Sequence, residues 1–429
     1  MLQPKPSQDI MTTRSTFKRL KAPIALWSIA TTFFAFQFIL RLSAGILRED
    51  IIQKFSIDTA AFGTMAGYYY LGYAGMQIPL GIMLDKFNFR IVTAFAIMLT
   101  VLGTLTFVLA DNWNIVLLGR FLIGAGSAVG FLSVAKVIKL FFEEKYHAFM
   151  IGFAFTFGLT GAVFGGTPMR LLFNQFGYYV TFMSLAIAGT IIASVVLVVK
   201  DKRIERADSS PNAHPTFQQI IKLLCNPMIL FTGLAGGLMV GPLEGFADVW
   251  AMPFFQHVHN LSENNAIFIT SLVFMGMCVG GPLLAYLAKK TGSNILVIAM
   301  TGALTVIVFF IIFFVQGLSM PILGGLMFYL GILCCYQVLV FAFVSDLVER
   351  SCAGIAIAII NCLNMSFGHF FHTIISTVIQ KYWDGAMNIV GLPIYNYEAY
   401  IYGLFVIPVA CLMGTVIFLY MAFMKIKRA

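Results

Sequence analysis

The chain has few charges for its length. Of its 429 residues only 10% are Asp, Glu, Lys or Arg, while 60% are hydrophobic. An ordinary soluble domain carries about a quarter charged residues. Because water cannot solvate so apolar a chain, the composition excludes an ordinary soluble globular protein and indicates that the bilayer is its solvent.

The sequence also lacks the patterns that several other functional classes require. Its seven cysteines show neither paired nor metal-ligand spacing, and no nucleotide-binding loop or nucleophile beside a base stands out. We therefore expect no cofactor, no bound metal, no direct use of ATP and no enzymatic activity. No cleavable signal peptide is expected, because the polar, basic start leads into an apolar run long enough to span a membrane.

Apolar runs of spanning length recur from Pro23 almost to the C-terminus. A hydrocarbon core about 30 Å thick needs about 20 residues in helical form. Runs such as Ile91–Ala110 do not alternate apolar and polar residues, as the strands of a membrane barrel would. The runs predict twelve helices, numbered 1 to 12, at 23–47, 59–84, 91–110, 115–141, 148–169, 178–199, 226–250, 264–288, 294–316, 320–346, 353–379 and 399–423.

Lys and Arg concentrate on one side of these helices. With the N-terminus inside, the loops on the opposite side hold only Arg48, Lys54, Arg170 and Lys381. The positive-inside rule therefore places both termini in the cytoplasm. Because the basic residues are scattered over short loops, the net charge of +9 gives no reason to expect nucleic-acid binding.

A hydrophilic segment between helices 6 and 7 contains Pro211 and Pro215 and separates two sets of six helices. Two related bundles that rock about a shared site are a common transporter design. We expect a cytoplasmic N-terminal segment, a first six-helix bundle, a cytoplasmic linker, a second six-helix bundle and a cytoplasmic tail. Their predicted limits are 1–22, 23–199, 200–225, 226–423 and 424–429.

The loop after helix 2 carries the most specific motif, formed by Gly81, Asp85, Lys86 and Arg90. The aspartate can pair with bases or cap a helix, the two bases mark the inner surface, and the glycine permits close helix contact. The segment resembles the signature Gly-x-Leu-Ala-Asp-Arg-x-Gly-Arg-Arg of the major facilitator superfamily. Asn88 replaces a glycine of that signature, and asparagine tolerates left-handed backbone geometry better than most residues.

A second motif lies in helix 4, where Arg120 precedes Gly124 and Gly126, similar to the superfamily's Arg-x-x-x-Gly-x-Gly. The segment after helix 8 resembles a worn copy of the first motif, with Lys289 in the place of the acid. The resemblance covers the whole chain and implies an all-α integral membrane fold of two six-helix bundles. It also implies that helices 1, 4, 7 and 10 line a central cavity, and that the loop after helix 2 latches one cytoplasmic-side conformation.

A finer resemblance concerns features scattered through both halves. They look like those of bacterial relatives of the lysosomal dipeptide transporter, and they also fit organic-anion symporters of the superfamily. Ala44 stands where the dipeptide group would have a proline. The features are Arg41 with Ser43, Trp250-Ala-Met-Pro253, Asn361 and Trp383-Asp-Gly385.

Formal charges well inside the predicted spans are confined to Arg41 in helix 1, Arg120 and Lys136 in helix 4, and Glu244 and Asp248 in helix 7. A charge at the bilayer centre costs about 2.5–3.5 kcal/mol, so each should face a cavity or a partner. A guanidinium suits a carboxylate or phosphate. Arg41 is therefore either a substrate ligand or the partner of the helix 7 acids.

The remaining charged candidates have two possible roles each. Glu244 and Asp248 lie four residues apart on one helix face, where two carboxylates can bind a proton reversibly. Arg120 belongs with them as a structural or coupling residue, and Lys136 either snorkels to the cytoplasmic surface or reaches the cavity. The uncharged candidates for the solute pathway are Gln37, Tyr69, Tyr336, Gln337, Asn361 and Asn364.

The sequence thus predicts a transporter that moves a small solute, namely an organic anion, an amino acid or a short peptide, by alternating access. Proton coupling is an added hypothesis. A non-transporting receptor or sensor on the same fold and a polytopic membrane enzyme are the alternatives. We expect the protein to work as a monomer in a bacterial cytoplasmic membrane.

Overall fold

The computed structural model describes residues 8–199, 217–349, 352–388 and 391–426. Within these ranges eleven helices are long and apolar enough to cross a membrane. A further helix, α2, has 28 residues and is less apolar because glycines and tyrosines replace aliphatic side chains. The spans are α1 Ala22–Ile46, α2 Thr59–Lys86, α3 Phe89–Leu109, α4 Trp113–Phe141, α5 Glu144–Phe164, α6 Thr167–Val198, α7 Pro227–His257, α8 Glu263–Thr291, α9 Asn294–Phe314, α10 Met320–Asp346, α11 Ala353–Lys381 and α12 Tyr397–Met424.

The twelve predicted helices are present, but the boundary between α5 and α6 was predicted in the wrong place. The chain turns at Gly165 and Gly166, and α6 begins at Thr167 instead of residue 178. Gly177, which the prediction placed between two helices, has a φ of 76° and interrupts α6 near its outer end. Glycine reaches this backbone region without a steric penalty, so the interruption follows from the sequence.

Two other differences lie on the outer side of the membrane, opposite the Lys- and Arg-rich side. The predicted loop after α1 contains a short helix, Arg48–Phe55, whose Ile51 and Ile52 are buried. Helix α7 continues to His257 instead of ending at Trp250. In both places side chains assigned to loops from the sequence take part in packing.

The two halves repeat one packing pattern. In the first half α1 packs on α5, α2 on α4 and α3 on α6. The same pairs recur six helices later, as α7 on α11, α8 on α10 and α9 on α12. Helices α3, α6, α9 and α12 expose large apolar side chains, as expected of surfaces that face lipid. These include Ile91, Phe95, Ile187, Ile191, Ile307, Phe310, Val416 and Tyr420.

The halves meet through α1 with α7, α2 with α11, and α5 with α8. Small residues allow these close approaches: a side chain at Gly45 would overlap the backbone of Asp248, and one at Gly63 would overlap Ser376. These contacts lie in the outer half of the membrane. Nearer the cytoplasm, an added Cβ at Gly81 of α2 would meet nothing within 4 Å. The outer ends of the two halves are therefore packed together, whereas Gly81 marks no such close approach.

Candidate solute site between α1 and α7

Arg41 lies between the two halves and is paired with both acids of α7. Its Nη2 contacts the carboxylate of Glu244, and its Nε lies 2.5 Å from Oδ2 of Asp248. Arg41, Glu244 and Asp248 are 6%, 1% and 4% exposed. Of the two roles that the sequence left open for Arg41, the structure shows the ion pair with the acids of α7. We call these three residues the central ion cluster.

The two acids lie on an unusual stretch of backbone. Residues Gly241–Trp250 form a π-helix, which follows the end of a regular helix at Leu238. Four residues are close to one turn of either kind of helix, so Glu244 and Asp248 still share a face. π-Helical backbone is rare, and where it interrupts an α-helix it is frequently found at a functional site. The sequence located the acids, but it did not indicate this wider turn.

Tyr70 of α2 completes the contacts of Asp248. Its hydroxyl donates to Oδ2 of Asp248, and its ring centroid lies 5.2 Å from the guanidinium of Arg41. The ring packs on Gly368 of α11, where an added Cβ would collide with it. Three consecutive tyrosines point about 100° apart on a helix. Periodicity alone could not decide which tyrosine contacts the acids, and the sequence analysis named only Tyr69, as a candidate for the solute pathway.

Tyr69 and Gln37 form a hydrogen-bonded pair behind this cluster, with 2.6 Å from the tyrosine hydroxyl to Oε1. The guanidinium of Arg120 lies 5.0 Å from the Tyr69 ring centroid. Its two terminal nitrogens donate to the backbone carbonyls of Leu40 and Arg41, at 2.8 and 2.6 Å. Arg120 therefore fixes the backbone that carries the central arginine, and its direct contacts are with carbonyls instead of the acids.

The other uncharged candidates lie on α10 and α11, and we call them the second polar group: Tyr336, Gln337, Asn361 and Asn364. The Tyr336 hydroxyl donates to the Gly236 carbonyl of α7 at 2.7 Å, and a Cβ added at Gly236 would lie 3.3 Å from Oδ1 of Asn364. Asn364 is fully buried, and within the described residues its amide atoms have no hydrogen-bond partner. A buried amide without a protein partner indicates a place for water or a ligand.

Gln337 also lies on α10, next to Tyr336, and it is partly exposed. None of the residues of this second polar group, including Gln337, belongs to the central ion cluster. The sequence grouped all of them as possible pathway residues, whereas the structure distributes them over two sites.

The predicted latch residues lie at the cytoplasmic ends of α2 and α3, and Asp85 and Arg90 both contact residues of the first half. The Asp85 carboxylate pairs with Nζ of Lys136 at 2.9 Å. Arg90 donates to the Leu197 carbonyl of α6 at 3.3 Å. Lys136 thus reaches toward the cytoplasmic end of the first half, where it is the partner of the motif aspartate. The neighbouring Lys86 is exposed.

Comparisons with known proteins agree with this architecture. The YybO protein of Bacillus subtilis (strain 168), described as an uncharacterized transporter, is 25% identical over 279 residues, which are 59% of this chain and 63% of that protein. The lysosomal dipeptide transporter MFSD1 of Danio rerio is 24% identical over 277 residues, 58% of either chain. The matches therefore span less than two thirds of these two relatives.

A solved structure agrees over almost the whole chain. It is the crystal structure of a bacterial homolog to the human lysosomal transporter Spinster, in an inward-facing and unoccupied conformation. The two structures superimpose with a TM-score of 0.70 and 15% identity, covering 93% of this chain and 95% of the other. At that identity the likeness concerns the fold alone.

The family model of the Major Facilitator Superfamily matches residues 26–372, which is well over half of the chain. Transporters among the relatives and helices of spanning length agree with that match. The chain therefore belongs to the Major Facilitator Superfamily, as a multi-pass membrane transporter and not an enzyme.

Proposed function

We propose that this transporter moves a small solute bearing a carboxylate, either an organic anion, an amino acid or a short peptide, by alternating access. We further propose that it is coupled to protons and acts as a monomer in a bacterial cytoplasmic membrane. The observation that carries the proposal is the pairing of Arg41 with Glu244 and Asp248 across the two halves.

The ion pairs connect solute binding with the position of the halves. Arg41 moves with α1, whereas both acids move with α7, so separation of the outer ends must break the pairs. Removing one partner from a buried pair leaves an uncompensated charge, which is strongly unfavourable. A solute carboxylate matches the guanidinium fork and can replace the lost acids. Bound solute therefore lowers the cost of opening the outer side.

Protons offer a second way to loosen the same contacts. A proton on either carboxylate removes one negative charge from the central ion cluster and weakens its hold on Arg41. The guanidinium is then available to a solute. Coupling of this kind requires no other titrating group, and it makes the two acids of α7 the proton-binding residues.

The chemistry of the cluster favours solutes with at least one carboxylate. One relative is named as a lysosomal dipeptide transporter, which supports a peptide or an amino acid as the solute. An organic anion fits the arginine equally well, because its carboxylate offers the same two acceptor oxygens.

Uptake into liposomes that contain the purified protein tests the proposal. Labelled dipeptides, amino acids and organic acids are offered with and without an inward proton gradient. We expect one class to accumulate, and Arg41→Ala to abolish this accumulation. The matched Arg41→Lys variant keeps the charge but loses the fork, so it should retain only a small fraction of the rate. Folded protein that takes up none of these solutes, but is stabilised by one of them, would instead support a receptor.

A further inference from the structure

Arg48 is a second buried arginine, at the outer end of the molecule. It is the first residue of the short helix Arg48–Phe55 and is only 5% exposed. Its Nη2 donates to Oγ1 of Thr59 at 2.7 Å. Among the described residues no carboxylate lies within ion-pair distance of it, which distinguishes it from the paired Arg41.

Three aromatic rings surround the Arg48 guanidinium. The carbon at its centre lies 5.9 Å from the ring centroid of Phe62, 5.6 Å from that of Trp250 and 5.9 Å from that of Tyr395. Phe62 belongs to α2 in the first half, whereas Trp250 and Tyr395 belong to the second. The arginine and its rings therefore span the boundary between the halves, and we call them the outer cage.

A hydrogen-bonded residue ties the two sides of the outer cage together. Oε1 of Gln380 accepts from the backbone N–H of Thr59 at 3.3 Å and from the hydroxyl of Tyr395 at 2.7 Å. Thr59 in turn holds the guanidinium of Arg48. The glutamine lies on α11 and the threonine begins α2, so this network also crosses between the halves.

Burial of a charge without a carboxylate partner is costly unless other contacts offset the lost water. Rings that face a desolvated guanidinium supply such contacts. Two of the three rings move with the second half, so the outer cage is complete only while the outer mouth is closed. When the mouth opens, water replaces the rings around Arg48.

We propose that Arg48 is the outer gating residue of this transporter, separate from the central ion cluster. Its guanidinium holds the outer mouth closed by bridging aromatic side chains of both halves. The proposal rests on alternating access and needs no statement about the solute.

The same short helix offers a matched control. Nζ of Lys54 lies 4.0 Å from the ring centroid of Tyr178 and 5.0 Å from that of Phe55. Both rings belong to the first half. Lys54 therefore lies on the same short helix as Arg48 and also faces aromatic rings, but these contacts do not cross between the halves.

A cysteine reporter at the outer seam measures opening without transport. Ser271 of α8 is buried against Gly166, which follows α5 in the other half. In a background that lacks the seven native cysteines, Ser271→Cys is labelled in intact cells with a membrane-impermeant maleimide. We expect Arg48→Ala to raise the labelling rate about tenfold, as loss of a desolvated cation–ring contact implies. Lys54→Ala should leave the rate unchanged.

A second variant tests the outer cage from the other half. Tyr395→Leu removes a ring without altering the arginine and should also raise the labelling rate, whereas Tyr395→Phe, which keeps the ring, should change it less. A symmetric size-exclusion profile shows that each variant is folded. Full labelling after denaturation shows that its cysteine is reactive. A labelling rate that is unchanged or lower in folded Arg48→Ala, or unchanged in folded Tyr395→Leu, would overturn the proposal. Because no solute is used, either result leaves the proposed substrate untouched.

Discussion

Nε of Arg41 in α1 lies 2.5 Å from Oδ2 of Asp248 in α7, so one ion pair joins the two halves of the transporter inside the membrane. Glu244 holds the other side of the same guanidinium. The contact can persist only while the outer ends of α1 and α7 stay together. Its residues therefore determine both what the site can bind and which side of the protein is closed.

Removal of the central arginine should destabilise the folded protein as well as stop transport. Arg41→Ala leaves Glu244 and Asp248 buried without their cation, and loss of one partner from a buried pair costs about 3–5 kcal/mol. We expect a clearly lower melting temperature in detergent. The triple variant Arg41→Met, Glu244→Gln and Asp248→Asn removes every charge and should recover most of the loss. A single variant that melts like the parent would show that the pairs contribute little.

Arg120 should act through the position of Arg41. Arg120→Ala removes two hydrogen bonds to the carbonyls of Leu40 and Arg41, each worth about 1.5–3 kcal/mol for a charged donor. We expect at least a tenfold rise in the solute concentration that gives half-maximal uptake, with part of the affinity restored by Arg120→Lys. If uptake keeps its affinity and loses only its proton dependence, Arg120 is a coupling residue and not a positioning residue.

Gly368 should be intolerant of any side chain because of Tyr70. A Cβ at this position would collide with the tyrosine ring, which donates its hydroxyl to Asp248. Gly368→Ala should therefore reduce uptake strongly. The double variant Gly368→Ala with Tyr70→Ala replaces the ring by a methyl group, so it should relieve the clash without restoring the hydrogen bond to Asp248. Stability of the double variant above that of Gly368→Ala, measured by thermal unfolding, checks this. Wild-type uptake by Gly368→Ala would contradict it.

The pairing of Asp85 with Lys136 should matter more for transport than for stability. Both side chains are partly exposed, and such pairs contribute at most about 1 kcal/mol. Asp85→Lys should thus change the melting temperature little. It should slow uptake, because the loop after α2 loses its ion pair with Lys136 of α4. The exchange Asp85→Lys with Lys136→Asp should recover part of the rate. Equal rates in the single and double variants would argue against this contact.

Much of the fold could be predicted because apolar runs and the distribution of Lys and Arg depend on residue types alone. The same property located Arg41, Glu244 and Asp248, since a charge inside an apolar run is visible without coordinates. The contact between Tyr70 and Asp248 could not be predicted, because helical periodicity gives a face only if the orientation of the helix is known. Gly177 was misplaced because glycine is compatible with both a kink and a helix end.

Arg48 shows a different limit of sequence reasoning. It follows the first apolar run directly, and in the sequence it is only one of the few basic residues on the outer side. The aromatic residues that bury it, Phe62, Trp250 and Tyr395, are distant in the sequence. No local pattern connects them. The π-helix of Gly241–Trp250 could not be predicted either. It packs against α1 and α11, which are also distant in the sequence.

Proton-driven uptake by a variant with neutral α7 amides tests the central ion cluster most directly. Glu244→Gln with Asp248→Asn preserves the size of both side chains but removes their capacity to bind and release a proton. In liposomes, accumulation of the transported solute by the unaltered protein should rise when an inward proton gradient is imposed. The variant should equilibrate the solute without responding to the gradient. Gradient-driven accumulation that persists in the variant would contradict proton coupling through α7.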